Sequence, residues 1–272
     1  MKRLAVVLRS ALAIALVMSF EANAQDNLPV QLYAAGSLRA AMTELASAFR
    51  ASGGPAVSTT YGPSGILRER IEKGEPAHVF ASADMGNPEA LAQTGLAAPA
   101  TLFARNRLCA LAPNDVIVSS DMLLDRMLDT RIKLGTSTPK ADPSGDYAWQ
   151  LFEKAETLRP GAYKTLDAKA LKLTGGASTA AAPAGRSIYA AIIRDRKADL
   201  FLTYCTNALE AQREVPEIQM IEVPAELAVG ASYGLTVISG APPDAERFKA
   251  FVLSPEGQGI LARHGFAPAA AP

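Results

Sequence analysis

The chain has 272 residues, with 27 basic and 27 acidic side chains, two histidines and two cysteines. This length allows one large domain or two modest ones, and a hydrophobic fraction of 49% with 20% charged residues excludes global disorder. The balanced charge, without a Lys/Arg-rich run, excludes the usual nucleic-acid binder, and the few Cys and His residues match no zinc-ligand spacing.

The N-terminus has the pattern of a cleavable secretory signal. The first nine residues carry three basic side chains, the ten residues 11–20 are uncharged and mostly apolar, and Ala22-Asn23-Ala24 supplies a small-residue cleavage site. The apolar run is about half as long as a membrane-spanning helix requires. We therefore predict that residues 1–24 are removed and that the mature chain is exported to the periplasm. An uncleaved N-terminal anchor is the alternative.

After the signal, short β-rich runs alternate with amphipathic helical patterns. Leu38, Met42, Leu45 and Phe49, for example, repeat at the spacing of one helical face. The predicted strands are residues 30–34, 57–61, 78–83, 108–111, 132–135, 200–204, 218–223 and 232–239. The predicted helices are residues 38–49, 66–71, 88–94, 122–128, 146–158, 187–195, 207–214, 244–253 and 255–264.

This alternation predicts an α/β fold with a mixed, mostly parallel sheet flanked by helices. Residues 175–185, rich in Gly and Ala, read as a flexible connection, and residues 267–272 as a frayed tail. If the chain has two lobes, it crosses between them near residues 104–111 and 224–233.

Two serines occupy the same local position, at the end of a strand and the start of a helix. Ser37 follows Ala34-Ala35-Gly36, and Ser64 follows Gly62-Pro63. Helix starts offer unpaired N–H groups and a partial positive charge, to which a hydroxyl adds one more donor. The pair could hold an anion, although each serine alone suits an ordinary N-cap.

Three further residues are candidates for the same site. Ser144 lies in a Pro-Ser-Gly turn before a helix, which suits a plain turn equally well. Arg186 opens a helix, where a cation opposes the helix dipole; either an acidic neighbour with water or a bound anion must compensate. Tyr204 ends a strand, where its hydroxyl either covers a ligand or caps the edge of the core.

Cys109 and Cys205 form an even pair in an oxidising compartment, which favours a disulfide over two buried free thiols.

A serine hydrolase using Ser64 or Ser37 is the competing interpretation, from a different functional class. It would have to recruit His78 or His264, and neither belongs to a recognisable catalytic motif. The sequence indicates no cofactor and no bare metal ion.

Several segments together resemble the periplasmic molybdate-binding receptors of ABC importers, a branch of the type II solute-binding proteins. The resemblance covers essentially all of the mature chain. The segments that carry it are Leu32-Tyr33-Ala34-Ala35-Gly36-Ser37-Leu38, Tyr61-Gly62-Pro63-Ser64-Gly65, residues 74–84 and, less specifically, residues 253–258 with His264-Gly265-Phe266.

The resemblance implies a monomeric two-lobe receptor, not an enzyme, that binds molybdate or tungstate between its lobes and delivers it to ABC permease subunits. The lobes would comprise residues 25–104 and 228–272 for the first, and residues 105–227 for the second. Carried over by motif, the ligand-binding residues are Ser37, Ser64, Ser144, Arg186 and Tyr204.

Two departures bear on the ligand. His78 stands where the family commonly has an acid, and Arg186 where it typically has a small apolar residue that contributes only its backbone. A charged, bidentate contact from Arg186 would suit a different anion. A receptor of the same fold for another anion, and a sensory receptor outside transport, therefore remain alternatives.

Overall fold

The computed structural model describes residues 28–179 and 186–269; the predicted signal and residues 180–185 and 270–272 lie outside them. The strands are β1 Val30–Ala35, β2 Val57–Gly62, β3 Val79–Ser82, β4 Thr101–Pro113, β5 Leu134–Ser137, β6 Leu171–Thr174, β7 Leu200–Tyr204, β8 Ile218–Glu222, β9 Gly230–Val237 and β10 Ala267–Pro268. The helices are α1 Arg39–Ala51, α2 Ser64–Glu72, α3 Gly86–Gln93, α4 Leu123–Leu128, α5 Pro143–Leu158, α6 Ala162–Lys169, α7 Ile188–Arg194, α8 Cys205–Glu214, α9 Pro243–Leu253 and α10 Pro255–Arg263. Among these helices, none combines the length and the apolar character needed to cross a bilayer.

Two groups of parallel strands form the ends of one continuous sheet. At one end β1 pairs in parallel with β2 and β3, and at the other end β5 pairs in parallel with β6 and β7. Parallel strands that lead into helices place their carboxyl ends at one edge, where open α/β sheets bind ligands. The sheet thus has two such edges, one in each group.

Strand β4 connects the two groups. Its residues 101–107 pair antiparallel with β9, and β9 in turn pairs antiparallel with β3. Residues 108–111 of β4 pair antiparallel with β7, and residues 109–113 pair antiparallel with β8. We call β1, β2, β3, β9 and the first half of β4 the first part of the sheet, and β5–β8 with the second half of β4 the second part. The chain returns to the first part between β8 and β9.

The predicted α/β class is confirmed: the fold is mixed α/β, with helices flanking a sheet that is parallel at its ends and antiparallel at its centre. The structure also contains α6 and β6, which the sequence analysis did not predict. Residues 267 and 268, predicted to be part of a frayed tail, instead form β10, which pairs with Ala104 and Arg105 of β4. Non-local pairing orders this short segment.

Packing of the predicted apolar face of α1 fixes the start of that helix. Met42 and Leu45 are fully buried, and the Phe49 ring lies 5.3 Å from Phe248 and 5.6 Å from Phe251 of α9. Burying a large apolar side chain contributes about 1.5–3 kcal/mol. These contacts hold α1 against the core, beside the sheet edge from which it starts.

Candidate functional site

A cavity of about 410 Å³ lies where strand ends from both parts of the sheet meet. The first part contributes residues 35–37 and 61–63, at the ends of β1 and β2. The second part contributes residues 174–177 at the end of β6 and Tyr204 at the end of β7. The cavity therefore occupies the edge at which α/β sheets hold ligands.

Ser37 lines this cavity and is mostly buried. Its Oγ lies 2.9 Å from Tyr233 Oη, and Asn106 Nδ2 donates to the same tyrosine oxygen at 3.3 Å. Burial raises the pKa of Tyr233 well above its usual value, so the phenol keeps its proton. Because Tyr233 accepts from Asn106, it can donate to Ser37, which leaves the Ser37 proton available to a ligand.

Ser64 is the first residue of α2 and is almost fully buried, directly after the cavity-lining residue Pro63. Its Oγ accepts a hydrogen bond from Ala83 N at 3.1 Å, so its own proton is also available. The next N–H, of Gly65, donates to Ala141 O of the second part at 3.0 Å. A Cβ on Gly65 would collide with the Lys140 carbonyl oxygen, so this close approach requires glycine.

Tyr204 ends β7 and also lines the cavity. Its hydroxyl donates to Ala83 O at 3.4 Å, the residue whose N–H binds Ser64. Its ring packs against Tyr233 with centroids 5.5 Å apart. Burial raises the pKa of Tyr204 well above its usual value, which keeps the hydroxyl a donor. Ser37, Ser64 and Tyr204 thus belong to one connected cluster.

Ser144 is the second residue of α5 and lies outside the cavity lining. Its backbone N–H donates to Asp142 Oδ1 at 3.1 Å. Its buried Oγ has no hydrogen-bond partner among the described residues. The side chain therefore has an unused donor one residue from the helix start.

Arg186 lies before α7, and its side chain is not part of the cavity lining. Its Nε forms an ion pair with Glu214 Oε1 at 2.7 Å, and the following N–H, of Ser187, donates to the same carboxylate at 2.7 Å. The Ser187 N–H and Arg186 together lower the pKa of Glu214. Of the two forms of compensation considered for Arg186, the structure contains the acidic neighbour.

Arg39 is the cation that lines the cavity, and the sequence analysis did not single it out. It is the first residue of α1, and its guanidinium carbon lies 4.5 Å from the centre of the Tyr61 ring. It forms no ion pair with the described residues. Like Arg186, Arg39 is a cation at a helix start, where it opposes the helix dipole.

Asp142, the N-cap of α5, is the carboxylate in the cavity lining. Its Oδ2 accepts from Ser137 Oγ at 2.7 Å, and its Oδ1 accepts from Ser144 N. Gly175 passes so close that a Cβ there would lie 2.7 Å from Asp142 Oδ2. Burial raises the pKa of Asp142 despite these two hydrogen bonds, and the nearby charges of Asp146 and Asp84 add to the effect.

The family model described as bacterial extracellular solute-binding protein matches residues 30–267. This chain belongs to that family. The solute-binding assignment accounts for a cavity at the strand ends between two parts of a sheet. It does not by itself name the solute.

Relatives of this solute-binding protein include anion-binding proteins. An uncharacterized protein of Pasteurella multocida is 34% identical over 77% of this chain and 87% of its own length. The molybdate-binding protein ModA of Escherichia coli is 26% identical over 89% of this chain and 90% of its own. The solved sulfate-binding protein SubI of Mycobacterium tuberculosis has a TM-score of 0.74 at 18% identity, over 88% of this chain and 86% of its own, which shows a shared fold.

The solute-binding protein contains a disulfide between Cys109 and Cys205. Cys109 lies on β4, and Cys205 directly follows the cavity residue Tyr204. Leu108 of β4 is also the pairing partner of Tyr204. The disulfide therefore ties the end of β7 to the central strand at the position where Tyr204 enters the site.

Neither histidine contacts the two serines that a hydrolase would use. His78 Nδ1 accepts from Gln31 N at 3.1 Å, and His264 Nε2 lies 2.7 Å from Glu44 Oε2. Ser37 and Ser64 instead contact Tyr233 and Ala83. These contacts position the serine hydroxyls as donors and leave them without a histidine general base.

Proposed function

We propose that this solute-binding protein captures an oxoanion in the cavity between its two lobes and delivers it to an ABC importer. The observation that carries the proposal is the cluster of Ser37, Ser64 and Tyr204, three buried hydroxyls that come from both parts of the sheet. The two serine protons are available to a ligand, and the tyrosine proton is held only by a long hydrogen bond. Oxoanion oxygens accept hydrogen bonds, and such a cluster supplies donors without requiring a buried cation.

Molybdate and tungstate are the first ligands of the proposal. The sequence motifs around Ser37 and Ser64 support them, as does the likeness to a relative named for molybdate binding. Ser144 would take part through its backbone N–H, which in the structure donates to Asp142 Oδ1 and would have to exchange that partner for the anion. Arg186 would take part through its backbone or through rearrangement of its ion pair with Glu214.

The proposed lobes are residues 25–104 with 228–272, and residues 105–227. Ligand would favour the state in which the two lobes meet, because only that state lets donors from both contact one anion. The hydrogen bonds from Gly65 to Ala141 and from Tyr204 to Ala83 join the two proposed lobes directly. A permease would recognise the surface of the closed state.

A second candidate is an anion other than molybdate, and two observations favour it. The cavity, at about 410 Å³, falls in the range of roughly 300–1,000 Å³ typical of sites for small organic ligands. The lining also contains the Asp142 carboxylate, which repels an anion that only accepts hydrogen bonds.

Calorimetry and thermal unfolding of the mature chain, with molybdate, tungstate, sulfate and phosphate as separate ligands, test the proposal. A bound anion raises the melting temperature by an amount that grows with the logarithm of its concentration above Kd. Binding of at least one of these anions, lost on mutation of Ser37 and Ser64, is the expected result. Failure of all four to bind or to shift unfolding would contradict oxoanion capture.

Delivery to an importer needs a separate measurement. Deletion of the gene should lower cellular uptake of the anion that binds in vitro, and the wild-type gene should restore it. A gene with Ser37→Ala and Ser64→Ala should fail to restore uptake although the protein accumulates in the periplasm. Normal uptake in the deletion strain would contradict the transport role.

A further inference from the structure

The Asp142 carboxylate has acceptor positions that the described residues do not fill. A carboxylate offers about four acceptor positions. The described residues fill one on each oxygen, Ser144 N on Oδ1 and Ser137 Oγ on Oδ2. Capping α5 accounts for the first of these bonds, and neither explains why the side chain lies in the wall of the ligand cavity.

No cation in the described part of the chain forms an ion pair with this carboxylate. Among the described residues, Asp142 forms no ion pair, and the neighbouring charges of Asp146 and Asp84 are also negative. The cavity nevertheless includes Arg39, whose guanidinium likewise lacks a carboxylate partner in the described chain. Among the described residues, the lining therefore offers one charged group of each sign without a direct ion-pair partner, although Arg39 also acts on the nearby Glu210.

A molybdate, tungstate or sulfate dianion has only acceptor oxygens at neutral pH and gains nothing from Asp142. An oxoanion that retains a proton offers the donor that a carboxylate accepts, while its other oxygens accept from serine and tyrosine hydroxyls. When Asp142 is ionised, it thus rejects the fully deprotonated anion, because the two negative charges repel each other.

We propose that Asp142 selects an oxoanion that carries a hydrogen-bond donor, of the hydrogen phosphate type, over acceptor-only oxoanions. The inference rests on the proposed oxoanion binding and deepens it by choosing the second candidate, an anion other than molybdate, and naming its class. The donor of the ligand binds the free acceptor positions of Asp142, and its charged oxygens face Arg39 and the hydroxyls of Ser37, Ser64 and Tyr204.

Gly175 supports this role for Asp142. Its φ of 75° is a left-handed conformation, and its α-carbon lies against the Asp142 side chain. Any larger residue would push the carboxylate away from its position. The backbone at the end of β6 is thereby shaped around this carboxylate.

The test compares inorganic phosphate with sulfate and molybdate by calorimetry on the full mature chain and on Asp142→Asn. Asparagine keeps an oxygen for the α5 cap, but it removes the charge and adds an N–H donor. Wild-type protein should bind phosphate at least tenfold more tightly than sulfate or molybdate. The variant should lose at least tenfold in phosphate affinity and gain affinity for the acceptor-only anions, so that the preference reverses.

Asp84→Asn is the matched control. Asp84 accepts from Asn87 N, in the first turn of α3, at 2.9 Å, and its charge also acts on Asp142, yet it lies outside the cavity lining. This variant removes a nearby negative charge without touching the proposed acceptor. It should keep the wild-type preference within about twofold.

Wild-type protein that binds sulfate or molybdate as tightly as phosphate, or more tightly, would overturn the inference and leave oxoanion capture standing. An unchanged preference in a folded Asp142→Asn variant would also overturn it. If that variant does not fold, the wild-type preference alone decides. A chain that binds no oxoanion contradicts the proposed function as well.

Discussion

The two walls of the cavity differ in charge. The wall from the first part presents Ser37 and Arg39, with Ser64 behind it, and all three offer donors. The wall from the second part presents the Tyr204 hydroxyl but also the Asp142 carboxylate. The first wall therefore favours oxoanions in general, and the second wall has the chemistry to discriminate among them.

The two arginines at helix starts show the same contrast. Arg186, in the second part, is neutralised by Glu214, whereas Arg39, in the first part, lies over an aromatic ring at the cavity. One rule about helix dipoles applies to both positions. Only the surroundings decide which cation remains available to a ligand.

Loss of the disulfide behind the second wall should have the largest effect on the molecule. Changing Cys109 and Cys205 together to serine removes a cross-link between positions 96 residues apart. The free energy of unfolding should fall by about 2–5 kcal/mol, since such a link restricts the unfolded chain. Urea denaturation of the oxidised wild type and the variant measures this, and a loss below about 1 kcal/mol would contradict it.

Removal of the serine hydroxyls should weaken the donor side of the site. Ser37→Ala and Ser64→Ala should each cost about 1–3 kcal/mol of binding free energy, or roughly 5- to 150-fold in Kd. Ser47→Ala is the control, because Ser47 bonds only the Thr43 carbonyl on the exposed side of α1. Calorimetry with the tightest-binding anion measures all three; equal affinity in every variant would remove both serines from the site.

Substitution of the two arginines should change the anion affinity by different amounts in the same calorimetric assay. Arg39→Ala should weaken anion binding roughly fivefold, or about 1 kcal/mol, because its exposed charge is partly screened by salt. Arg186→Ala should change Kd by less than about twofold, since Glu214 already holds that side chain. The reverse order of effects would show that the anion lies against Arg186.

The smallest expected effect is the pH dependence of stability contributed by two second-part carboxylates. The pKa of Asp142 is raised by burial, so its ionisation destabilises the fold, and the penalty grows as pH rises from the unfolded pKa of about 3.9 to the folded value. The pKa of Glu214 is lowered by Ser187 and Arg186, so its contribution is stabilising at neutral pH and is lost as pH falls through the folded pKa.

Ligand-free urea denaturation between about pH 3 and pH 7 distinguishes these signs, since this range extends below the unfolded pKa of Glu at about 4.3. Relative to wild type, Asp142→Asn should gain stability as the pH rises, whereas Glu214→Gln should lose it. The same sign for both variants would contradict the assigned environments.

Local patterns predicted most of the fold, because most elements carry their own signal. The face of Met42, Leu45 and Phe49 gave α1, and the same α5 that begins at Pro143 was predicted from residue 146. The missed strand β6 has only four residues, Leu171–Thr174, too few for their alternation to stand out; its Leu171 and Lys172 are exposed, and the strand depends on pairing with β5. Strand β10 likewise exists through its pairing with β4.

The candidate site was only partly visible in the sequence. Ser37 and Tyr204 carried recognisable local contexts, and the structure places both in the cavity lining. Asp142 was visible only as part of a turn, because its place in the wall depends on Gly175, distant in sequence. The position of Arg39 at a predicted helix start is visible in the sequence. Whether a carboxylate pairs with it depends on the tertiary fold, and among the described residues none does.

Crystals grown with arsenate or tungstate, whichever binds more tightly in solution, test the central claim most directly. The anomalous signal of the heavy atom locates the anion without reference to the protein density. One peak in the cavity should appear, with oxygens within about 3 Å of the Ser37, Ser64 and Tyr204 hydroxyls. A peak elsewhere on the protein, with those hydroxyls still bound only to Tyr233 and Ala83, would contradict the account.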